Sequence, residues 1–482
     1  MGYIRRAHRR GLPVSDRNTV EQPSSARGFD MMLSTMLRLR SLWKEAFSSS
    51  QFGALLVLTI VTNALLAGLG LLSSLLAARL LGPTGRGELA AIQTWPTLLA
   101  VLALLGTADA LVYFSAREPK QADRWLSTAI CIALLACLPF ALIGYMLMPW
   151  LLGAQNQEVV QAARVFLWFL PIQAVIGMLP HPLRGRNDLV AWNLIRPLPN
   201  LVWVGLLLFD LARHAANPIL LTQQYLIALA LLCVPIGAVV IRRLRGSFQV
   251  SKAHVYPLIK FGMPSVLTTV PSMLNLRLDQ MIMAGMLGSQ ILGLYVIGVA
   301  WSNSVVPLLS AVAATLLPRV AGAPAEIQVP LLAQSVRLGL LFAMLSAPLM
   351  ALAAPVAIPM LFGRAFAPAV PAAMVLCLAA GMTAFNQVLA SGANSLGRPH
   401  FSLIAESAGL VATLGLLGLL LPRLQLIGAA LASLGSYTVV SVVLIHCIKR
   451  QTGLSLPELL KPKLADFRHS RNGERTKCVR SN

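Results

Sequence analysis

Long apolar stretches alternate with short polar segments along the chain, and this pattern predicts membrane-spanning helices. A helix needs about 20 apolar residues to cross the ~30 Å hydrocarbon core of a bilayer. Stretches of that length recur through the sequence, separated by glycine, proline and charged turn residues. They number twelve and cover 52–78, 88–114, 125–148, 162–181, 190–211, 219–241, 258–286, 292–317, 334–358, 366–391, 400–421 and 424–447. We predict an all-α polytopic membrane protein of about twelve transmembrane helices.

Composition agrees with a membrane protein and argues against a soluble enzyme and a nucleic-acid-binding protein. Of the 482 residues, 57% are hydrophobic and 12% are charged, whereas a soluble domain has roughly 25% charged residues. A soluble enzyme does not fit these values. The formal charge of +22 does not indicate nucleic-acid binding, because the basic residues are not gathered on one folded face. The six cysteines lack metal-ligand spacing, so we expect no metal and no cofactor. We also expect that the protein is not an enzyme.

The distribution of basic residues predicts the orientation of the chain. The two terminal tails and the even-numbered connections together hold 31 of the 39 Lys and Arg residues, and the odd-numbered connections hold six. Arg196 and Arg277 lie inside apolar stretches. Short basic loops stay in the cytoplasm, so we predict that both termini are cytoplasmic and that the number of spans is even. The first span is expected to be an uncleaved anchor.

Weak internal matches indicate that the chain is duplicated. The matching residues occur in the same order in both halves, at an offset that drifts from 206 to 212. They pair Leu81-Gly82 with Leu287-Gly288, Gly87 with Gly293, Trp95 with Trp301, and Gly185-Arg186 with Gly397-Arg398. Six spans per half make the halves parallel repeats about an axis along the membrane normal, an arrangement typical of transporters.

This duplication predicts a division into two lobes between two basic tails. The domains are expected at 1–50 (cytoplasmic N-terminal tail), 51–241 (N-lobe), 242–260 (cytoplasmic linker), 261–448 (C-lobe) and 449–482 (cytoplasmic C-terminal tail).

Charged residues at bilayer depth are the first candidates for a transport path, since burying them is costly. The seventh stretch contains Asn275, Arg277 and Asp279. Arg277 and Asp279 are about 200° apart on a helix, so one can face a cavity while the other contacts a neighbouring helix. The alternative is an ion pair that locks the lobes. Glu406 in the eleventh stretch is either a protonatable coupling site or a partner of Arg398.

Other polar residues in the apolar stretches have a functional and a structural interpretation. Arg196, in the fifth stretch, either faces the path or extends to the cytoplasmic interface. Asn63 and Asn386 lie at mid-span depth, where hydrogen bonding between helices is the favoured interpretation. Arg79 and Arg164 lie near outer span ends, and we expect interfacial anchors there rather than ligands.

Four segments carry a resemblance to a known family. They are Ala78-Arg-Leu-Leu-Gly-Pro-Thr-Gly-Arg-Gly-Glu-Leu-Ala90, Arg277-Leu-Asp279, Leu287-Gly-Ser-Gln-Ile-Leu-Gly-Leu-Tyr295 and Leu361-Phe-Gly363. These segments resemble bacterial polysaccharide and oligosaccharide flippases, the O-antigen-type transporters of lipid-linked glycans, whose superfamily also contains multidrug and toxin extrusion exporters and lipid II flippases. The resemblance extends over about 60–450, and the lipid II branch typically has two more spans than this chain.

The resemblance implies transport of an undecaprenyl-pyrophosphate-linked oligosaccharide across the bacterial inner membrane by alternating access. Coupling to H⁺ or Na⁺, contact with membrane lipids and association with glycan-assembly proteins are part of the same expectation. A pyrophosphate needs cationic partners, and arginine is suited to it. Our candidates for substrate binding are Arg277, Asp279, Arg196, Asn275 and Asn63, and those for ion coupling are Glu406 and Asp279.

Two alternatives remain open at this point. A cation-coupled multidrug exporter is the first, since such exporters often carry a carboxylate in span 1 or 7. Here the first span has none, but Asp279 lies in the seventh. A membrane-embedded glycan polymerase or ligase is the second. Such enzymes usually need a large outer loop, and the connections on the predicted outer side are short.

The predicted orientation can be tested by cysteine labelling. In a background without the six native cysteines, Asn156→Cys in the third connection should react with a membrane-impermeant maleimide in intact cells. Ser247→Cys, in the sixth connection, should react only after lysis. The reverse labelling pattern would show that the charge distribution has been misinterpreted.

Overall fold

The apolar stretches are largely α-helical in the part of the chain that the structure describes, because in lipid every backbone polar group has to bond within the protein. The computed structural model describes residues 51–304 and 325–461. The predicted tail 1–50, residues 305–317 of the eighth stretch and most of the predicted C-terminal tail lie outside the described residues. The described α-helices are α1 Gln51–Ala103, α2 Thr107–Arg117, α3 Ala122–Leu151, α4 Gln157–Phe166, α5 Phe169–Met178, α6 His181–Gly185, α7 Leu189–Ile195, α8 Leu198–Ala212, α9 Pro218–Leu244, α10 Lys252–Met286, α11 Ser289–Asn303, α12 Ala325–Phe362, α13 Val370–Ser395, α14 His400–Thr452 and α15 Leu456–Leu460.

Two helices of 53 residues, α1 and α14, each consist of two segments joined at one non-helical residue. A straight helix of that length would extend about 80 Å, more than twice the hydrocarbon thickness. Gly82 (φ 65°) interrupts α1 and Gln425 (φ 45°) interrupts α14. The connection 79–87 between the first two predicted stretches is therefore too long. The helix resumes at Pro83, whose fixed φ suits a first helical position, and Arg86 lies on the helix.

The described helices are those of a multi-pass membrane protein. Eight helical segments within the described ranges are long and apolar enough to cross a membrane, and two of these contain the breaks at Gly82 and Gln425. Large apolar side chains such as Leu231, Leu352 and Val356 are exposed on the surface, as expected where the solvent is lipid. The number of twelve spans stays a prediction, because residues 305–324 are not described and α10 is not among the eight segments.

The fourth span is broken into α4, α5 and α6. Pro171 has no N–H to bond the carbonyl of Leu167, and the helix is interrupted at Leu167 and Trp168. The break leaves Trp168 exposed on the surface while Phe166 and Phe169 are buried. One face of this span is therefore on the surface, and the other is packed inside the protein.

The connection between the predicted lobes is shorter than 242–260. Helix α9 ends at Leu244 and α10 begins at Lys252, so only 245–251 is non-helical. Asp123 at the start of α3 accepts hydrogen bonds from the backbone N–H groups of Ser247 (2.7 Å) and Phe248 (3.3 Å). These bonds fasten the connection to α3. Whether 51–241 and 261–448 are two lobes stays a prediction.

Helices α1 and α11 cross at backbone contact. A Cβ atom on Gly87 would lie 1.7 Å from the carbonyl oxygen of Ser289, and one on Gly293 would lie 1.8 Å from that of Pro83. Only glycine permits this approach. The contact is reciprocal: Gly87 and Gly293 are 206 residues apart, as are Pro83 and Ser289, and 206 is the offset of the predicted repeat. Residues that this predicted repeat pairs therefore touch each other.

Side-chain donors also join helices that are distant in the sequence. The Arg79 guanidinium donates to the carbonyls of Met360 (2.9 Å) and Leu361 (2.7 Å), in the last turn of α12. Gln155 donates to the carbonyls of Ala284 and Leu287, both at 2.8 Å. Carbonyls at helix ends have no hydrogen-bond donor within the helix. The side chains of Arg79 and Gln155 supply the missing donors. Arg79 is a structural residue here, not a ligand.

Gly87→Ala should destabilise the protein, because the new methyl group forces the crossing helices apart. Overpacking of this kind costs about 1–3 kcal/mol. We expect a lower thermal unfolding midpoint in detergent, and the same for Gly293→Ala. Gly205→Ala is the matched control, since a Cβ at Gly205 meets no atom within 4 Å. Equal midpoints for Gly87→Ala and Gly205→Ala would contradict the packing described here.

Candidate functional site

Two of the described cavities are each lined by two arginines. The first, the Arg277 cavity, has a volume of about 390 Å³, which is within the range of small-ligand sites. Helices α1, α5, α8 and α10 contribute to its wall. Its polar lining includes Arg86, Gln93, Asn200, Arg277 and Gln280, and no carboxylate is among its described lining residues.

Arg86 and Arg277 leave this cavity positively charged. Arg277 is exposed and forms no ion pair with a described residue. The Nε of Arg86 is buried, and no described residue accepts a hydrogen bond from it. Guanidinium groups without carboxylate partners in a polar cavity are suited to binding an anion.

The Arg196 cavity, of about 360 Å³, adjoins the first and shares Asn200 and Tyr225 with it. Arg196 donates to the Asn63 side-chain oxygen (3.1 Å) and lies 4.2 Å above the Trp192 ring. Arg184 lies 5.3 Å from the same ring. Trp192 thus holds two cations by cation–π contact, and the described lining again contains no carboxylate.

Asp279 does not line either of these cavities. It is buried, and its carboxylate accepts hydrogen bonds from the hydroxyls of Tyr295 and Ser433, the latter at 3.1 Å. It therefore joins α10 to α11 and α14. Arg277 faces a cavity while Asp279 contacts neighbouring helices. In this arrangement Asp279 has no access to a cargo in the cavities, so the predicted role in substrate binding has no geometric support.

Asn275 and Glu406 are brought together on a different side of α10. The Asn275 amide donates to the Glu406 carboxylate (2.7 Å) and to its backbone carbonyl (2.8 Å), and Asn275 is 3% exposed. Glu406 bonds to Asn275 and not to Arg398. Both residues line the Glu406 cavity, of about 370 Å³. Asn275 therefore lies at a carboxylate, not at the arginines.

The remaining predicted residues have mixed outcomes. Asn63 is exposed and is the acceptor for Arg196, so these two candidates form one unit. Asn386 donates to the Tyr437 carbonyl and accepts from Ser441, which confirms the expected hydrogen bonding between helices. Within the described residues, no group of His, Cys, Asp and Glu could hold a metal ion.

Sequence reasoning missed Arg86 and Arg184 as cavity residues. Both were counted only as loop charges for orientation. The signal that Arg86 carried was its place one residue before Gly87 in a segment that also resembles the flippases. Tyr295 and Ser433 were missed because an uncharged hydroxyl in an apolar stretch has no distinct pattern until its partner is known.

The fold is that of known membrane transporters. A structure of the lipid II flippase MurJ in an inward closed conformation matches with a TM-score of 0.66 at 14% identity, covering 82% of this chain and 87% of that one. An inward-facing MATE-family multidrug resistance transporter matches with a TM-score of 0.64 at 16% identity, over 82% and 98% of the two chains. A MOP-superfamily transporter from Pyrococcus furiosus matches with a TM-score of 0.55 at 16% identity, over 82% and 95%.

These likenesses define the class as an all-helical membrane protein with the MOP-superfamily fold. The family follows from the sequence itself. Residues 53–323 match the polysaccharide biosynthesis protein family, and the chain belongs to that family. No curated protein matches the chain.

Tyr295→Phe should destabilise the protein, because it removes a hydroxyl donor from the buried Asp279 carboxylate. Loss of a hydrogen bond to a buried charged group costs about 1–3 kcal/mol. We expect a lower midpoint of thermal unfolding. Tyr256→Phe is the control, since Tyr256 is 70% exposed. If both variants unfold at the temperature of the unmodified protein, the Tyr295–Asp279 bond contributes nothing to stability.

Proposed function

We propose that this protein flips an undecaprenyl-pyrophosphate-linked oligosaccharide across the bacterial inner membrane by alternating access, for surface polysaccharide synthesis. It acts as a transporter and not as an enzyme, with its termini in the cytoplasm. Membership of the polysaccharide biosynthesis family and the likeness to a lipid II flippase fold support this proposal. Glycan-assembly proteins are its expected partners.

The observation that carries the proposal is the charge of the adjoining cavities. Arg86 and Arg277 line one, and Arg184 and Arg196 line the other, with no carboxylate among the described lining residues of either. A pyrophosphate is a dianion or more, and arginine binds it through several directed N–H donors. The polar residues between the arginines are suited to sugar hydroxyls.

Coupling to H⁺ or Na⁺ is assigned to Glu406. Its carboxylate lines a separate cavity and can therefore exchange an ion without crossing the cargo path. Asp279, the second coupling candidate, is 3% exposed and bonded to two hydroxyls. A coupling role for Asp279 requires that α11 or α14 move away from it.

The cation-coupled drug exporter remains the alternative, since a MATE transporter shares the fold. A cationic drug needs acidic or neutral surroundings, and the Arg277 and Arg196 cavities repel it. Of these three cavities of the described residues, the Glu406 cavity, lined by Asn275, Asn386 and Tyr437 as well, fits such a cargo. The charge distribution therefore favours the anionic cargo.

The double variant Arg86→Gln/Arg277→Gln should abolish surface glycan and cause the lipid-linked oligosaccharide to accumulate on the cytoplasmic leaflet. Each single variant should reduce glycan at least about tenfold, since one charge-assisted hydrogen-bonded contact contributes roughly 1.5–3 kcal/mol. The measurement is surface-glycan analysis together with mass spectrometry of extracted lipids. Membrane insertion of each variant is verified by its level in the membrane fraction.

Arg423→Gln is the matched control, because Arg423 is exposed and lines none of the three cavities. It should leave glycan unchanged. Unchanged glycan in the inserted double variant would exclude the proposed cargo site. If the deletion strain retains its glycan but becomes sensitive to cationic dyes, the drug-exporter alternative is correct.

A further inference from the structure

A long apolar groove lies on the surface between α3 and the broken fourth span. It has a volume of about 800 Å³ and is lined on α3 by residues from Ser127 to Tyr145. That distance is about 27 Å along a helix, most of the hydrocarbon thickness. Leu135 and Leu138 in the groove are more than 60% exposed. The groove therefore faces the surrounding lipid.

One end of the groove carries a fixed cation. The Arg164 guanidinium lies 4.4 Å from the centre of the Tyr145 ring, and its Nε donates to the Tyr145 carbonyl at 3.1 Å. Pro149 has no N–H, so the Tyr145 carbonyl lacks its normal helical donor. Arg164 replaces that donor. The proline thus explains why an arginine is held at this point of an apolar surface.

The Nη groups of Arg164 are left without a carboxylate. Arg164 is the only charged residue among the described residues that line the groove. Guanidinium N–H donors bind phosphate oxygens through charge-assisted hydrogen bonds, and the anion available beside a lipid-facing groove is a lipid phosphate. The amine of a zwitterionic headgroup would have no acidic partner among these lining residues.

We propose that this groove is a binding site for a phospholipid with a negatively charged headgroup. One acyl chain lies along α3, and the phosphate pairs with Arg164. Trp168, which is 69% exposed at the helix break, lines the groove beside Arg164 and supports the glycerol region, as aromatic residues do at bilayer interfaces. This site is separate from the cationic cavities and does not depend on the proposed cargo.

The site is placed to influence the Arg277 cavity. Leu167 and Trp168 line the groove, whereas Phe166 and Phe169 of the same span line the cavity. A lipid in the groove therefore packs against one face of this broken span while the cavity lies against the other. Occupancy of the groove restrains α4 and α5, which form part of the cavity wall.

The test uses the full-length protein in bilayer nanodiscs with a phosphatidylglycerol that carries a photoreactive group in one acyl chain. After illumination, peptide mass spectrometry should locate labelling at 127–145 and 164–171. Arg164→Gln should reduce labelling of these peptides about fivefold, the effect of one cation near an anionic lipid. Leu135→Trp, which fills the groove and leaves Arg164 intact, should reduce it as well.

Two controls separate a lipid contact from a structural effect. Arg213→Gln should leave labelling unchanged, because Arg213 also lies over an aromatic ring, Phe209 at 4.4 Å, but does not line the groove. Arg164→Lys keeps the charge without the Nε bond to Tyr145 and should retain most of the labelling. If Arg164→Lys behaves like Arg164→Gln, the residue acts only through helix packing and the proposal fails.

Competition identifies the occupant. Unlabelled phosphatidylglycerol should displace the probe, and phosphatidylcholine should not. Equal displacement by phosphatidylcholine would show that the headgroup charge is not recognised, which overturns the proposal. Stronger displacement by a polyprenyl phosphate would assign the groove to an isoprenoid lipid instead and would also overturn it.

Discussion

The backbone contact between α1 and α11 at Gly87 and Gly293 is the constraint on which one wall of the Arg277 cavity depends. Arg86 precedes Gly87 directly, so the crossing fixes its position, and Val296 of the Arg277 cavity lies within one turn of Gly293. Gly87 and Gly293, which the predicted repeat pairs, touch each other. A side chain at either position would separate the helices that close the cavity at this end.

Several polar residues in the apolar stretches act as donors to backbone carbonyls that lack a helical partner, although their position would also suggest a role in ligand binding. The bilayer offers no water to bond them, and proline or a helix end leaves them without an N–H donor. Arg79 serves the end of α12, Gln155 serves the end of α10, and Arg164 serves the carbonyl opposite Pro149. Only Arg164 also lies in a groove with space for a ligand.

The all-helical membrane class could be predicted from the sequence, because apolar length and turn residues are local properties. The partners of polar residues were not predictable, since they depend on which helices become neighbours. Asn275 was expected with the substrate-binding residues but is bonded to Glu406. Arg86 was missed because an arginine near a turn is ordinarily counted as a loop charge. In the structure α1 resumes directly after Gly82, so Arg86 lies on the helix and in the wall of the Arg277 cavity.

A single segment of α10 contacts all three polar sites, and this has a consequence for the proposed transport cycle. Asn275 bonds to Glu406, Arg277 faces the Arg277 cavity, and Asp279 bonds to Tyr295 and Ser433. A proton or Na⁺ that neutralises Glu406 weakens its bond to Asn275. Because helix α10 is continuous over these residues, rotation or translation at Asn275 moves Arg277 with it. Ion binding in one cavity and cargo binding in another can thus be coupled through one helix, without contact between the two ligands.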